Sequence, residues 1–63
     1  MEIKLNQKYF YRDHYIIVKK NQGKYRWLVL NDKNEVVRKS VNEGVTPEET
    51  YYDAVSSIDN DTG

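Results

Sequence analysis

The sequence predicts an α+β domain: a three- to four-stranded antiparallel β-meander followed by one C-terminal α-helix packed on one face. Two observations predict it. Upstream of residue 41 the apolar residues alternate with period two between clusters of turn-forming residues, and beyond Pro47 the period becomes helical. The 63-residue length allows one domain, 1–63, with strands over about 8–41, a helix over about 46–59 and a frayed tail over 60–63.

The strands follow from their turns. Residues 8–11 form the first, reversing at Arg12-Asp13-His14, and residues 3–5 either extend it or pack elsewhere. Residues 15–20 and 24–30 flank Asn21-Gln22-Gly23, a three-residue hairpin loop with glycine available for the left-handed position. Residues 35–41 follow Asn31-Asp32-Lys33-Asn34, whose side chains tolerate turn backbone. The helix begins at Thr46-Pro47-Glu48-Glu49, a hydroxyl N-cap, proline in the first helical position and a glutamate three residues after the cap. Its acids favour the positive end of the helix dipole. Tyr51, Ala54, Val55 and Ile58 then recur as one apolar stripe.

These loop lengths set a register. Pairing Lys20 with Lys24, Leu30 with Glu35 and Tyr11 with Tyr15 separates two faces, because strand side chains alternate. One face carries Phe10, Ile16, Val18, Leu28, Leu30, Val37 and Val41, and is the expected seat of the helix. The other carries Tyr9, Tyr11, Tyr15, Ile17, Lys19, Tyr25, Trp27, Val29, Val36 and Arg38. A lone helix cannot cover both sides of a sheet, so the aromatic face is expected to be open. With no cysteine to staple so small a chain, self-association as a homodimer is expected to help bury it.

Charge is distributed as unevenly as the aromatics. All ten Lys and Arg residues lie at or before Lys39, against four acids in residues 1–40; residues 41–63 hold six acids and no base. The predicted strands over 15–20, 24–30 and 35–41 carry Lys19, Lys20, Lys24, Arg26, Arg38 and Lys39 against Glu35 alone. Bases at strand ends also serve solubility and prevent edge pairing. Bases interleaved with aromatics on β-type sequence, however, are the ingredients of a nucleic-acid surface. Tyr15, Tyr25 and Trp27 would stack on bases, while Lys19, Lys20, Lys24, Arg26 and Arg38 would neutralise phosphate.

Catalytic and metal chemistry finds little support. His14 has no second His or Cys with which to build a zinc site. Asp32 and Glu35 flank a turn, where Asp is expected for backbone bonding; the alternative is a magnesium pair in a nicking nuclease. Asp59-Asn60-Asp61-Thr62-Gly63 resembles the opening of a calcium loop but has no bidentate glutamate after it. There is no Gly-rich phosphate loop and no cysteine nucleophile, so neither catalysis nor a cofactor nor a metal is expected. Met1 leads into charged sequence with no apolar leader or bilayer-spanning run, so a soluble cytoplasmic protein without membrane contact is expected.

Three family resemblances accompany this reading. His14-Tyr15-Ile16-Ile17-Val18-Lys19, Gly23-Lys24-Tyr25 and Gly44-Val45-Thr46-Pro47-Glu48 before a final helix resemble the single-stranded-DNA-binding domain of the positive-cofactor transcriptional coactivators. That resemblance implies a dimer with four strands and a helix that binds melted DNA on its sheets, with Lys19, Lys24 and Arg26 at its basic strand positions. Residues 15–58 are also similar to the arm-binding domains of tyrosine recombinases, which read DNA with three strands and a helix. Gly23-Lys24-Tyr25-Arg26-Trp27 with Asn34-Glu35-Val36 resembles the YegP-type domains. The expected function is therefore non-enzymatic nucleic-acid binding, single-stranded DNA favoured. The competing expectation is a protein-interaction module, for example a phage- or plasmid-encoded inhibitor of a host or defence protein, with the aromatics as its hot spot.

Overall fold

The structure is a computed structural model that describes residues 2–62, with side chains described through residue 60. Four antiparallel strands form one sheet in the order β1-β2-β3-β4: β1 (Tyr9–Tyr11), β2 (His14–Asn21), β3 (Lys24–Leu30) and β4 (Val36–Lys39). The helix α1 (Pro47–Thr62) lies across one face of the sheet, against β2 and β3. This is the α+β meander with a C-terminal helix that the sequence predicts.

The helix forms for the reasons legible in its first turn. The Glu49 amide donates to Thr46 Oγ1 at 3.1 Å, so Thr46 is the N-cap. Tyr51, Ala54 and Ile58 are buried against the sheet and Val55 is partly so, which makes the apolar stripe the docking face. Thr50 is buried too, and its hydroxyl donates to the Thr46 carbonyl at 2.9 Å. The expected fraying over 60–63 gives way to helix as far as Thr62, and Gly63 lies outside the described residues. Contacts to Asp59 help hold the last turns despite acids at the negative end of the dipole. Tyr11 donates its hydroxyl to Asp59 at 2.9 Å, and Arg12 pairs with the same carboxylate at 3.3 Å.

The strand register differs from the expected one, and the turns are the cause. Asn21 pairs with Lys24, so Gln22-Gly23 is a two-residue loop; Tyr11 pairs with His14, so Arg12-Asp13 is another. All four loop residues have positive φ: 52° at Gln22, 81° at Gly23, 47° at Arg12 and 64° at Asp13. That is the geometry whose twist matches the flanking strands. Left-handed backbone is uncommon at Gln and Arg, which is why the sequence points instead to longer loops with one permissive residue.

Because side chains alternate, a slip of one residue turns a strand over. β2 keeps its expected orientation, with Ile16 and Val18 toward the helix, but its partners are inverted. Val29 stands opposite Ile16, Trp27 opposite Val18, Tyr25 opposite Lys20 and Tyr9 opposite Ile16. The core is consequently Ile16, Val18, Trp27, Val29, Tyr51, Ala54, Ile58 and Ile3, with Tyr9, Tyr11, Tyr25 and Val55 packed around it. Phe10 and Leu28, expected beneath the helix, lie on the opposite face; Leu30 shares that side by register, opposite Tyr15, but is buried as expected, at 7% exposure. A bulge between Val29 and Leu30 sets Leu30 opposite Val36 and Leu28 opposite Lys39. Val41, also expected in the core, is 95% exposed in the segment that follows β4.

Burial explains why this arrangement wins. Large aromatics remove the most apolar surface from water, and their polar tips can remain at the rim. The Tyr9 ring meets Tyr51 edge to face at 5.6 Å, while its hydroxyl accepts the Lys4 amide at 2.8 Å. The N-terminal segment closes one end of this core. Ile3 is 5% exposed, its amide donates to Glu48 Oε2 at 3.3 Å, and the Asn6 amide donates to the Val18 carbonyl at 2.8 Å. At the other end Gly44 exchanges backbone bonds with Tyr25 at 3.0 and 2.8 Å. A side chain at Gly44 would collide with the Thr50 hydroxyl, so glycine lets the chain pass under the first turn of the helix.

Candidate nucleic-acid interface

The helix leaves the far side of the sheet open, and the register decides what stands there. One row across the strands is Phe10, Tyr15, Leu30 and Val36; the next is Ile17, Leu28 and Lys39. Beyond them Lys19 faces Arg26, and Lys24 faces Asn21 at the hairpin end. The open face therefore has an apolar and aromatic end and a basic end. Phe10 is 63% exposed and meets the Tyr15 ring edge to face, with centroids 5.4 Å apart. Lys8 extends over the Tyr15 ring at 5.9 Å from its centroid and donates to the Asn34 side chain.

The basic end has its own electrostatic signature. Like charges directly opposite each other on a sheet are destabilising, yet Lys19 and Arg26 form such a pair. Glu43 relieves part of this, its carboxylate accepting the Arg26 Nε–H at 3.1 Å from the rim. Lys19, Lys24 and Lys39 are exposed and have no ion pair among the described residues.

Four of the eight residues expected at the site come together here: Tyr15, Lys19, Lys24 and Arg26. The other four lie on the helix side. Trp27 is 7% exposed beneath α1, so the indole offers no face to a base, and this corrects the expectation that it stacks. Tyr25 is half-buried beside the same core, and Lys20 stands opposite it, facing away from the open side. Arg38 bonds Ser57 Oγ at 3.1 Å and lines an open cleft of about 450 Å³ with Asp53, Ser56, Ser57 and Asn60. Phe10, Lys8 and Lys39 belong to the open face and were not expected there. A two-residue loop at Arg12-Asp13 is the signal that would have placed Phe10 beside Tyr15.

Other candidate chemistry is accounted for locally. Nδ1 of His14 donates to the Arg12 carbonyl at 2.7 Å. Glu35 belongs to its turn: Asn31 Oδ1 accepts the Lys33 and Glu35 amides at 2.9 and 3.0 Å, and Asn31 Nδ2 donates to Glu35 at 3.1 Å. Among the described residues no three His, Asp or Glu side chains gather to hold a metal, and no helix is long and apolar enough to cross a membrane.

No family model matches this chain, and neither the curated proteins nor the solved structures provide a match.

Proposed function

We propose that the chain binds single-stranded nucleic acid on the open face of its sheet. Phe10 and Tyr15 would stack on bases, and Lys19, Lys24, Arg26 and Lys39 would neutralise phosphate. The observation that carries this reading is an aromatic pair, uncovered by the helix, on the same face as Lys19, Lys24 and Lys39, which have no ion pair among the described residues. Stacking on each aromatic contributes about 1–3 kcal/mol per base and is tolerant of sequence. Four phosphate contacts would make the logarithm of affinity fall against that of salt with a slope of roughly −3. The acidic helix on the opposite side would repel a second strand, limiting binding to one face.

The apolar end of the face supports a second reading, a protein-interaction surface. Ile17 and Leu28 are half-buried there, and at the β4 edge Val36 and Val37 are 46% and 47% exposed. Aromatic and arginine side chains in such a setting dominate protein interfaces. Salt separates the two readings. Binding of single- and double-stranded oligonucleotides, titrated with salt, should show preference for the single strand and a steep salt slope; Phe10→Ala should weaken the affinity and the preference and leave the slope unchanged. Absence of oligonucleotide binding at low salt would leave the protein-partner reading in its place.

A further inference from the structure

The open sheet face and the outward stripe of α1 carry opposite unpaired charge. On the open sheet face Lys19, Lys24 and Lys39 have no ion pair among the described residues. On the outward stripe of α1 the exposed residues are Glu49, Tyr52, Asp53, Ser56 and Asn60, and neither Glu49 nor Asp53 has an ion pair among the described residues. The remaining described acids of the helix are engaged. Glu48 accepts the Ile3 amide, and Asp59 is held by Tyr11 and Arg12. Tyr52, 58% exposed, flanks the two unpaired acids as an apolar body with a polar tip.

We propose that copies of this chain associate head to tail, the basic open sheet face of one copy seated on the Glu49-Tyr52-Asp53 stripe of the next. Charge complementarity selects a second copy as occupant, and the formal net charge of zero at pH 7 removes the long-range repulsion that keeps like molecules apart. Phe10 and the aliphatic end of the face give Tyr52 an apolar surface to cover. The complementary surfaces lie on opposite sides of one sheet–helix sandwich, so the contact is heterologous and grows into a chain rather than closing as a two-fold dimer. Sheet edges do not offer an easier route. β4 carries Arg38 and Lys39 and lies next to a bulge, β1 is only three residues long, and the stretch of β2 beyond β1 is met by the Asn6 amide. The inference stands independently of nucleic-acid binding, which would compete for the same face.

Sedimentation velocity with charge-swapped variants tests it. At about 20 mM salt the wild-type weight-average mass should rise with concentration beyond that of a dimer, and at about 0.5 M salt it should fall to that of a monomer. Lys19→Glu/Lys39→Glu and Glu49→Lys/Asp53→Lys change exposed residues, and circular dichroism verifies that each is folded. Each should be monomeric alone, and an equimolar mixture should assemble, because each variant then offers the other a complementary face. Should either pair fail to fold, Lys24→Glu and Glu49→Lys repeat the swap with single changes. A wild type that stays monomeric throughout overturns the proposal. So does a dimer that resists salt and survives Glu49→Lys/Asp53→Lys, since that is the behaviour of two sheets packed through their apolar ends. Wild-type assembly without oligonucleotide binding supports this inference while removing the nucleic-acid reading.

Discussion

The two faces of the sheet are built from adjacent residues of the same strands, yet they perform different work. Beneath the helix the aromatics are structural: Trp27, Tyr9, Tyr11 and Tyr25 enclose Ile16, Val18 and Val29, and the tyrosine hydroxyls of Tyr9 and Tyr11 are bonded at the rim. On the open side Phe10 and Tyr15 touch each other, and Lys8 lies over the Tyr15 ring. The difference teaches that aromatic content does not identify a binding surface. What distinguishes a stacking platform from a core is which side of the pleat the helix occupies.

The comparison breaks most visibly at Trp27. Trp27→Ala should cost about 3–5 kcal/mol of stability, measured by denaturant unfolding, because it removes the largest side chain of the core. Trp27→Phe should fold and retain oligonucleotide affinity. An affinity loss in folded Trp27→Phe matching that of Phe10→Ala would show that the two faces have been assigned backwards.

Phe10→Ala is the converse test. Its stability should change by only about 0.5 kcal/mol, as expected of an exposed site, while oligonucleotide affinity drops by about 1–3 kcal/mol. A large stability loss with no change in affinity would place Phe10 in the core after all.

Lys19 and Lys20 sharpen the contrast, being neighbours in β2 on opposite sides of the sheet. Lys19→Ala should reduce the magnitude of the salt slope by about 0.7, the contribution of one phosphate contact with a single strand. Lys20→Ala should leave the slope unchanged. Equal effects would mean that the chain attracts polyanions diffusely rather than through one face.

The smallest effect concerns the buried side alone. Burial pushes the Tyr51 phenol above its ordinary value of 10.0, with additional contributions from Tyr11, Tyr52 and Tyr9. The folded chain thus holds this proton more tightly than the unfolded one. The resulting stability is complete below pH 10 and is lost as pH rises through the higher folded value. Tyr51→Phe should flatten the decline of stability in alkaline solution, followed by circular dichroism. An unchanged alkaline profile would show that another phenol controls it.

Much of the fold could be read from local chemistry. Thr46 and Pro47 start the helix, the spacing of Tyr51, Ala54 and Ile58 gives its buried face, and Asn34 takes the left-handed backbone its turn requires, at φ 64°. The site was half legible for a specific reason. Ile16-Ile17-Val18 and Trp27-Leu28-Val29-Leu30 are continuous apolar runs, so either side of each strand could have faced the helix. Only loop length distinguished them, and both hairpins use a residue, Gln22 or Arg12, that ordinarily avoids the left-handed region.

The identity and order of the elements, the capped helix and the concentration of base in the strands were therefore determined by sequence alone, because each depends on residues within one or two turns of chain. The assignment of faces belonged to the tertiary structure. Covering Trp27 and its tyrosine neighbours with α1 favours two tight loops whose local backbone is unfavourable, and a side-chain period of two converts that one-residue choice into the exchange of a core for a surface.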